Sequence, residues 1–375
     1  MEFQSLGLIA PILKAIKDLG HNTPTPIQKA TIPAILTKKD IIGCAQTGTG
    51  KTAAFVLPIL QMVSQKKTNT NKVSVLIITP TRELASQIGQ NIVSYNKYLH
   101  LSHTTIFGGV PQKRQETIMQ KGVDIIIATP GRLLDLIQQN IIDCSAISHF
   151  VLDEADTLLD LGFLNDIKKI IRKLPVKRQN LLFSATLPDN IRKLADEILV
   201  NPEFIGVDPV SSSSNTVDQK VIFLAAESKP NMLKDILDAN KEEQTLIFTR
   251  TKFGANKLVK YLVNKGYTPE CIHGNKSQNA REKSLHAFKS KSSNILIATD
   301  IAARGIDIAL LPLVINYDLP QETETYIHRI GRTGRAGNSG VAISFCTDTE
   351  RPQLNKIQHL IGFKVPVYNN NFLTQ

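Results

Sequence analysis

Short runs of apolar, β-branched residues alternate along this chain with longer segments whose apolar positions recur at a helical period. Val73–Thr79, Asp124–Ala128, His149–Leu152 and Asn180–Ser184 each hold a continuous apolar stretch, with no in-and-out alternation. That is the pattern of parallel strands buried on both faces and joined by helical crossovers. It resumes at Thr245–Thr249, Asn294–Asp300 and Leu313–Asp318. The fold class predicted is α/β, with two tandem units, each a mainly parallel sheet flanked by helices. Between them VDPVSSSSN, Val207–Asn215, has no apolar period and reads as a flexible linker. The closing YNNNFLTQ reads as a frayed end and receives no role.

Composition agrees with that layout. The chain has 375 residues, 42% of them hydrophobic and 21% charged, which suits two globular domains of ~100 to 200 residues and excludes disorder or a single small module. Lysine and arginine number 44 against 33 acids, a formal net charge of +11. This favours a polyanionic partner, nucleic acid first, although a merely soluble basic enzyme fits charge alone. Divided near Asp208, the charge is +5 before it (23 basic, 18 acidic) and +6 after it (21 basic, 15 acidic). A binding surface shared by both units is expected. Cys44, Cys144, Cys271 and Cys346 are far apart and show no metal-binding spacing, so a reducing compartment is expected. The first twenty residues lack a signal-peptide core, and no run approaches ~18 uncharged apolar residues, so the chain reads as a soluble cytoplasmic protein without a membrane segment. Tryptophan is absent and aromatics are only 6%, which points to phosphate contacts more than base stacking.

Two segments carry chemistry. After Ile41 and Ile42 comes GCAQTGTGKTAAF, a strand, a glycine-rich turn and a helix opening near Gly50–Ala53. Gly48 and Gly50 allow backbone N–H groups to wrap phosphates, Lys51 supplies a point charge, and Thr52 offers a hydroxyl to Mg2+. The general pattern begins with glycine where this chain has Ala45. The second half of such a site is an acid at the end of a neighbouring parallel strand. HFVLDEAD supplies Asp153, placed to hold Mg2+ through water, and Glu154, placed to orient or deprotonate the attacking water. The alternative is a helix N-terminus stabilised by acids.

Phosphoryl transfer also uses positive charge that arrives with the transition state. In YIHRIGRTGRAG, Arg329, Arg332 and Arg335 recur every third residue, which on a helix end would present a row of guanidinium forks. The bland reading is a solvated basic face.

Taken in order, Phe3, GHNTPTPIQ (Gly20–Gln28), AQTGTGKT (Ala45–Thr52), PTREL (Pro80–Leu84), Gly108–Gly109, TPGR (Thr129–Arg132), DEAD (Asp153–Asp156), SAT (Ser184–Thr186), LIFTRT (Leu246–Thr251), HGNKSQNAR (His273–Arg281), ATDIAARGID (Ala298–Asp307) and HRIGRTGR (His328–Arg335) run through nearly the whole chain. This series resembles the DEAD-box RNA helicases, most closely the bacterial RhlE-type branch. The resemblance implies two RecA-like domains: 1–208, ATP-binding, with an adenine-recognition element at 1–29; a linker at 209–216; a second domain at 217–367; and a tail at 368–375. In this family Ala45 is usual.

The resemblance also implies the site. Phe3 would stack on adenine and Gln28 read its edge, while Ala45, Gln46, Thr47, Gly48, Thr49, Gly50, Lys51 and Thr52 would cradle the phosphates. Thr52 and Asp153 would hold Mg2+. Gly305 and Asp307 would meet the nucleotide from the second domain, Arg332 and Arg335 would be the fingers, and His328 would join the catalytic set. RNA phosphates would be held by Arg82, Gly109, Thr129 and Arg132, with Thr251, Gly274 and Thr299 from the second domain. Asp156, Ser184, Thr186 and Arg329 would couple hydrolysis to RNA release, with His328 and Arg329 tied to Asp153–Asp156. His21 and Asn275 depart from the wider family pattern, which more often has an aromatic or aliphatic residue and an aspartate there. The implied activity is RNA-stimulated ATP hydrolysis driving local separation of short duplexes or remodelling of RNA–protein complexes. An ATP-gated RNA clamp and a DNA-directed relative are the rivals. RNA, with little sequence preference, is the expected partner; ribosome-assembly or RNA-decay proteins are further candidates, and a monomer is the default state.

Overall fold

The protein is described from a computed structural model, which covers residues 2–46, 48–66, 72–207, 217–303, 308, 311–334 and 340–368. The expected linker at 209–216 lies outside these residues, as does the tail from 369. The chain divides into two compact units, Met1–Pro209 and Val210–Gln375.

Unit 1 is built on β1 (Ile41–Cys44), β2 (Val75–Ile78), β3 (His103–Ile106), β4 (Ile125–Ala128), β5 (His149–Leu152), β6 (Gln179–Ser184) and β7 (Glu203–Gly206). Their order across the sheet is β3-β4-β2-β5-β6-β1-β7, all parallel. Successive side chains enter opposite cores, as a two-sided sheet requires. Val75, Ile77, Val151, Leu181 and Phe183 join one cluster. Leu76, Ile78, Phe150, Leu152 and Leu182 join the other. The order places the carboxyl ends of β5, β6 and β1 side by side, which brings the DEAD run, the SAT turn and the glycine-rich loop to one edge.

Unit 2 repeats the plan with β8 (Val217–Phe223), β9 (Thr245–Thr249), β10 (Glu270–Ile272), β11 (Ile295–Thr299), β12 (Leu313–Asn316) and β13 (Gly340–Cys346). Its order is β10-β11-β9-β12-β13-β8, again all parallel. The faces again divide: Ile247, Ile297 and Ile315 pack on one side, and Leu246, Phe248, Leu296 and Val314 on the other.

The apolar runs locate β2, β4, β5, β6, β9, β11 and β12 to within two residues at either end. They leave β3, β7, β8, β10 and β13 unmarked. β3 alternates between half-buried and buried positions and β7 carries two exposed ones, and β10 spans three residues. The cysteines are free. Among the described residues no helix is long and apolar enough to cross a membrane.

Candidate functional site

The glycine-rich loop leaves β1 and enters the helix Lys51–Gln65. Gly48 and Gly50 have φ of 84° and 90°, and Gly50 caps the helix in the left-handed conformation. A β-carbon on Gly50 would run into the Gln28 amide. The loop therefore needs glycine there both for its turn and for the close approach of a neighbouring side chain. Lys51 is buried and its Nζ donates to the Ala45 carbonyl at 2.6 Å, holding the ammonium inside the loop. Gln46 O accepts from Thr49 Oγ1 at 2.7 Å. Thr52 follows in the first helical turn, half-buried. Thr47 lies outside the described residues.

Asp153 leaves β5 with its backbone N–H on Ile78 O, and its Oδ1 accepts from Glu154 N at 3.0 Å. Only 2% of it is exposed. Burial pushes its carboxyl up to about 7, with Lys51 pulling it back and Glu154 raising it. An ionised carboxylate so placed calls for a cation, and a divalent ion would reverse the upward shift. The residues thus fit Mg2+. Glu154 takes left-handed dihedrals, φ 51° and ψ 54°, to start the short helix Ala155–Asp160. A non-glycine residue in that region is held there by its surroundings, and such positions concentrate at functional sites. A helix does start at this run, at Ala155, with Asp156 in its first turn.

Asp156 binds this edge together. Its Oδ2 accepts from Ala185 N at 3.0 Å, Thr186 N at 2.9 Å and Thr186 Oγ1 at 3.2 Å, and its Oδ1 accepts from Thr157 N at 2.9 Å. Its own N–H donates to Ser184 Oγ at 3.2 Å. Ser184 O in turn accepts from Ala45 N at 3.1 Å. The glycine-rich loop, the acid run and the SAT turn therefore form one hydrogen-bonded block.

The amino-terminal element reaches the same loop. Gln28, buried on the helix Pro26–Leu36, donates from Nε2 to Gly50 O at 3.1 Å and accepts at Oε1 from Thr25 N at 3.0 Å. Both ends of its amide are engaged with the protein, and one of them with the phosphate loop. Phe3 is 7% exposed and packs into the core of unit 1 from the short turn Phe3–Leu6. His21 is exposed, so local packing does not depend on it.

A second group collects at the ends of β2, β3 and β4. Arg82 opens the helix Arg82–Tyr95, whose start is capped by Thr81 Oγ1 accepting from Leu84 N at 3.3 Å. Its guanidinium lies over Gly109, where a β-carbon would collide with Nη1 and come within 2.9 Å of Cζ. Gly109 has φ 83° as well, so both space and backbone require glycine. Thr129 caps the helix Pro130–Gln138 and donates its N–H to Ile106 O. Arg132 is braced by Gln115 Oε1 at 3.0 Å and Asp135 Oδ2 at 2.5 Å, and Gln115 is itself fixed on Phe107 O at 3.0 Å. Two oriented guanidiniums beside a helix start have the chemistry that suits an anion.

In unit 2, Thr251 Oγ1 caps the helix Lys252–Asn264 by accepting from Gly254 N at 3.0 Å. Thr299 ends β11, and a β-carbon on Gly274 would meet open space. Asn275 Oδ1 accepts from Lys252 Nζ at 3.1 Å, so the amide fills a place where an aspartate would make the same contact with charge. Gly305, Asp307 and Arg335 lie outside the described residues.

Of the expected row of guanidinium forks, Arg329 and Arg332 lie among the described residues, and both are buried. The helix Thr323–Ile330 ends before Arg332, and Arg329 in its last turn is 1% exposed. Arg329 Nε and Nη2 grip Asp300 at 2.5 and 2.7 Å, Nη1 donates to Asn316 Oδ1 at 3.0 Å and to Asp318 O at 2.6 Å, and the guanidinium lies 5.0 Å from the Phe248 ring centre. Its donors are taken up by partners inside unit 2, as a buried guanidinium needs nearly all of them satisfied. Arg332 is buried beyond the helix end and His328 is half-buried. Arg329 thus lies within the helix and Arg332 beyond its end.

Matches to known proteins follow this geometry. The DEAD/DEAH box helicase family model matches residues 25–194, and the helicase conserved C-terminal domain model matches residues 228–337. The chain belongs to the DEAD-box helicase family. RhpA of Helicobacter pylori, a DEAD-box ATP-dependent RNA helicase, is 41% identical over 98% of this chain and 75% of its own length. DbpA of Bacillus subtilis, an ATP-dependent RNA helicase, is 40% identical over 97% of this chain and 75% of its own. Among solved structures, S. cerevisiae Dbp5 bound to RNA and ADP BeF3 superposes with a TM-score of 0.84 at 32% identity, covering 96% of this chain and 93% of that one. Mss116p bound to ssRNA and AMP-PNP gives 0.85 at 30% identity, covering 98% and 78%. This helicase is accordingly an RNA-dependent ATPase.

Sequence reasoning missed the braces: Gln115 and Asp135 behind Arg132, and Asp300, Asn316 and Asp318 around Arg329. It also missed a buried ion cluster in which Lys229 Nζ contacts Asp318 Oδ1 and Glu350 Oε2, both at 3.1 Å, and Arg250 Nη2 meets Glu350 Oε1 at 2.6 Å. Burial alone would raise Glu350, but Thr347 N–H and Lys229 hold its carboxyl below the ordinary range. The available signal was Arg250, a charge in a strand-end motif next to the Thr251 cap.

Proposed function

We propose that this helicase, an RhlE-type member of its family, binds ATP with Mg2+ at the carboxyl edge of β1, β5 and β6 and uses turnover to open short RNA duplexes locally. The domain limits follow the family pattern: 1–208 for ATP binding, with 1–29 as the adenine element; 209–216 as linker; 217–367 as the second domain; 368–375 as tail. The observation that carries the reading is the Asp156 carboxylate, which joins the acid run to the SAT turn through three hydrogen bonds. Any shift of Glu154 or Asp153 on nucleotide exchange must move Ala185 and Thr186 as well.

Within this scheme the residues Ala45–Thr52 wrap the phosphates, Lys51 neutralises them, and Thr52 and Asp153 hold Mg2+, which supplies charge stabilisation on the phosphoryl oxygens. Glu154 orients water and takes its proton. Gln28 recognises adenine, and exchanging its bond to Gly50 O for one to the base would report nucleotide binding to the loop. Phe3 contributes apolar surface to that element. Gly305, Asp307, Arg332, Arg335 and His328 complete the nucleotide site from the second domain. Arg82, Gly109, Thr129, Arg132, Thr251, Gly274 and Thr299 hold RNA phosphates, which positions a strand without reading bases. Ser184, Thr186, Asp156 and Arg329 carry the coupling, Arg329 by fixing Asp300 at the end of β11 next to Thr299.

Switching a conformation from 1:99 to 99:1 takes ~5.5 kcal/mol of differential binding. With DNA stacking of ~1.4 kcal/mol per step standing in for RNA, that opens about four steps. Unwinding measured on duplexes of increasing length tests the scheme, with rates expected to fall steeply beyond roughly one helical turn. Equal rates on long duplexes would point to translocation instead. Stimulation of ATP hydrolysis by RNA and not by DNA separates this reading from a DNA-directed relative.

A further inference from the structure

The sheet of unit 1 has a second polar edge, opposite the one that carries Asp153 and Ser184. At the amino ends of β5 and β6, a cavity of about 700 Å3 is lined by Lys38, Lys66, His149, Lys177, Arg178 and Gln179. The remaining lining residues, Met62, Gln65 and Ser148, carry no charge, so no carboxylate faces the cavity. Among the described residues none of the four cations is in an ion pair. Asp40 acts electrostatically on Arg178, but its oxygens are taken by Asn180 N at 2.8 Å, Asn180 Nδ2 at 3.0 Å and Val200 N at 2.8 Å.

Part of this lining is fixed in place. Arg178 donates from Nε to Asn180 Oδ1 at 2.7 Å and from Nη1 to Pro175 O at 2.6 Å, with its guanidinium 5.8 Å from the Phe150 ring centre. His149 is buried against Ser148 Oγ at 3.0 Å. Gln179 is buried and its amide holds the Lys38–Lys39 turn through Lys39 O at 2.7 Å and the preceding helix through Ile35 O at 3.0 Å. Burial first, then Lys66 and Lys38, push the His149 imidazole down to about 4, so the field felt inside the cavity is positive. Lys66 follows the carboxyl end of the helix that Lys51 begins. The dipole there amounts to about half a negative charge, which several unpaired cations outweigh.

We infer that this cavity binds a small polyphosphate, an anion of nucleotide-like size and three or more charges, at a site separate from the phosphate loop. Four cations line one cavity with no carboxylate in its lining, so a multivalent anion there meets net positive charge. A volume of this order is that of ordinary small-ligand sites. Phosphate suits the donors present, since Arg178 offers a fork and the lysines offer point charges around it. Occupancy would be felt along the helix Lys51–Gln65, whose other end is the catalytic loop.

The test uses the full chain with ADP saturating the phosphate loop, titrated with inorganic tripolyphosphate while the His149 ring signals are followed by NMR and assigned with His149→Gln. The anion is expected to shift His149 saturably and to raise its pKa from about 4. Lys38→Gln with Lys177→Gln, two exposed positions without side-chain hydrogen bonds in the described residues, should weaken that response at least about tenfold and leave ADP affinity unchanged. No shift at His149, or an unaltered midpoint in the double variant, overturns the proposal. A single-stranded RNA that moves His149 at lower phosphate concentration than tripolyphosphate also overturns it, and would make the cavity part of an RNA track.

Discussion

Replacing Asp153 with asparagine should make the nucleotide-free protein more stable while abolishing its activity. The carboxyl is almost wholly buried and its pKa stands at about 7 against an ordinary 3.8. For an acid with a raised folded-state pKa, ionisation opposes folding: the penalty is absent below about pH 4, grows as pH rises through 7 and is complete above it. A shift of about three units corresponds to ~4 kcal/mol. Between pH 5 and pH 8 the penalty grows by roughly 2 to 3 kcal/mol. Asparagine resembles the protonated acid in shape and keeps an oxygen for Glu154 N, so Asp153→Asn removes the penalty without removing that contact. Because two units need not unfold together, the quantity to measure is native-state hydrogen exchange of peptides from β5 and β6. The variant should be protected more than the native chain at pH 8, with the gap narrowing by pH 5, and its ATP turnover should vanish. An equal gap at both pH values, or a less stable variant at pH 8, refutes the reasoning.

Arg329→Ala should destabilise unit 2 by the lower end of the ~3 to 5 kcal/mol of a fully buried pair, because it strands the buried Asn316 and an Asp300 side chain that is 26% exposed; exchange in β11 and β12 should rise while β5 and β6 stay protected. Glu154→Gln should lower ATP turnover by at least about a hundredfold while ATP and RNA still bind, measured by single-turnover hydrolysis alongside equilibrium binding. Arg82→Ala should weaken RNA binding alike across sequences and reduce the slope of log affinity against log salt by about one. Gly109→Ala should act in the same direction by displacing the Arg82 guanidinium, raising the RNA concentration for half-maximal ATPase without changing RNA-free turnover.

The legible parts of this protein were those encoded by local sequence. Continuous apolar runs give buried parallel strands because both faces of β2, β5, β6, β9 and β12 meet hydrophobic cores. The glycine-rich loop was legible because its φ values and close contacts admit little but glycine at Gly50. Asp153 and Glu154 were readable because they stand at the carboxyl end of such a strand, where ligands collect.

Tertiary structure decided the rest, since strand order, burial and side-chain direction are long-range properties. β5, β6 and β1 are neighbours although more than a hundred residues of chain separate β1 from β5, and only that order lets Asp156 reach Ala185 and Thr186. Spacing suggested that Arg329 and Arg332 share one exposed face, but the helix stops at Ile330 and Asp300 draws Arg329 inward. The four cations of the opposite edge come from separate turns, at Lys38, Lys66 and Lys177–Arg178, so no charge run in the sequence announces them. Local pattern determines which segments become strands and which turns can hold phosphate; packing alone decides which charges are buried, paired or left facing an open cavity.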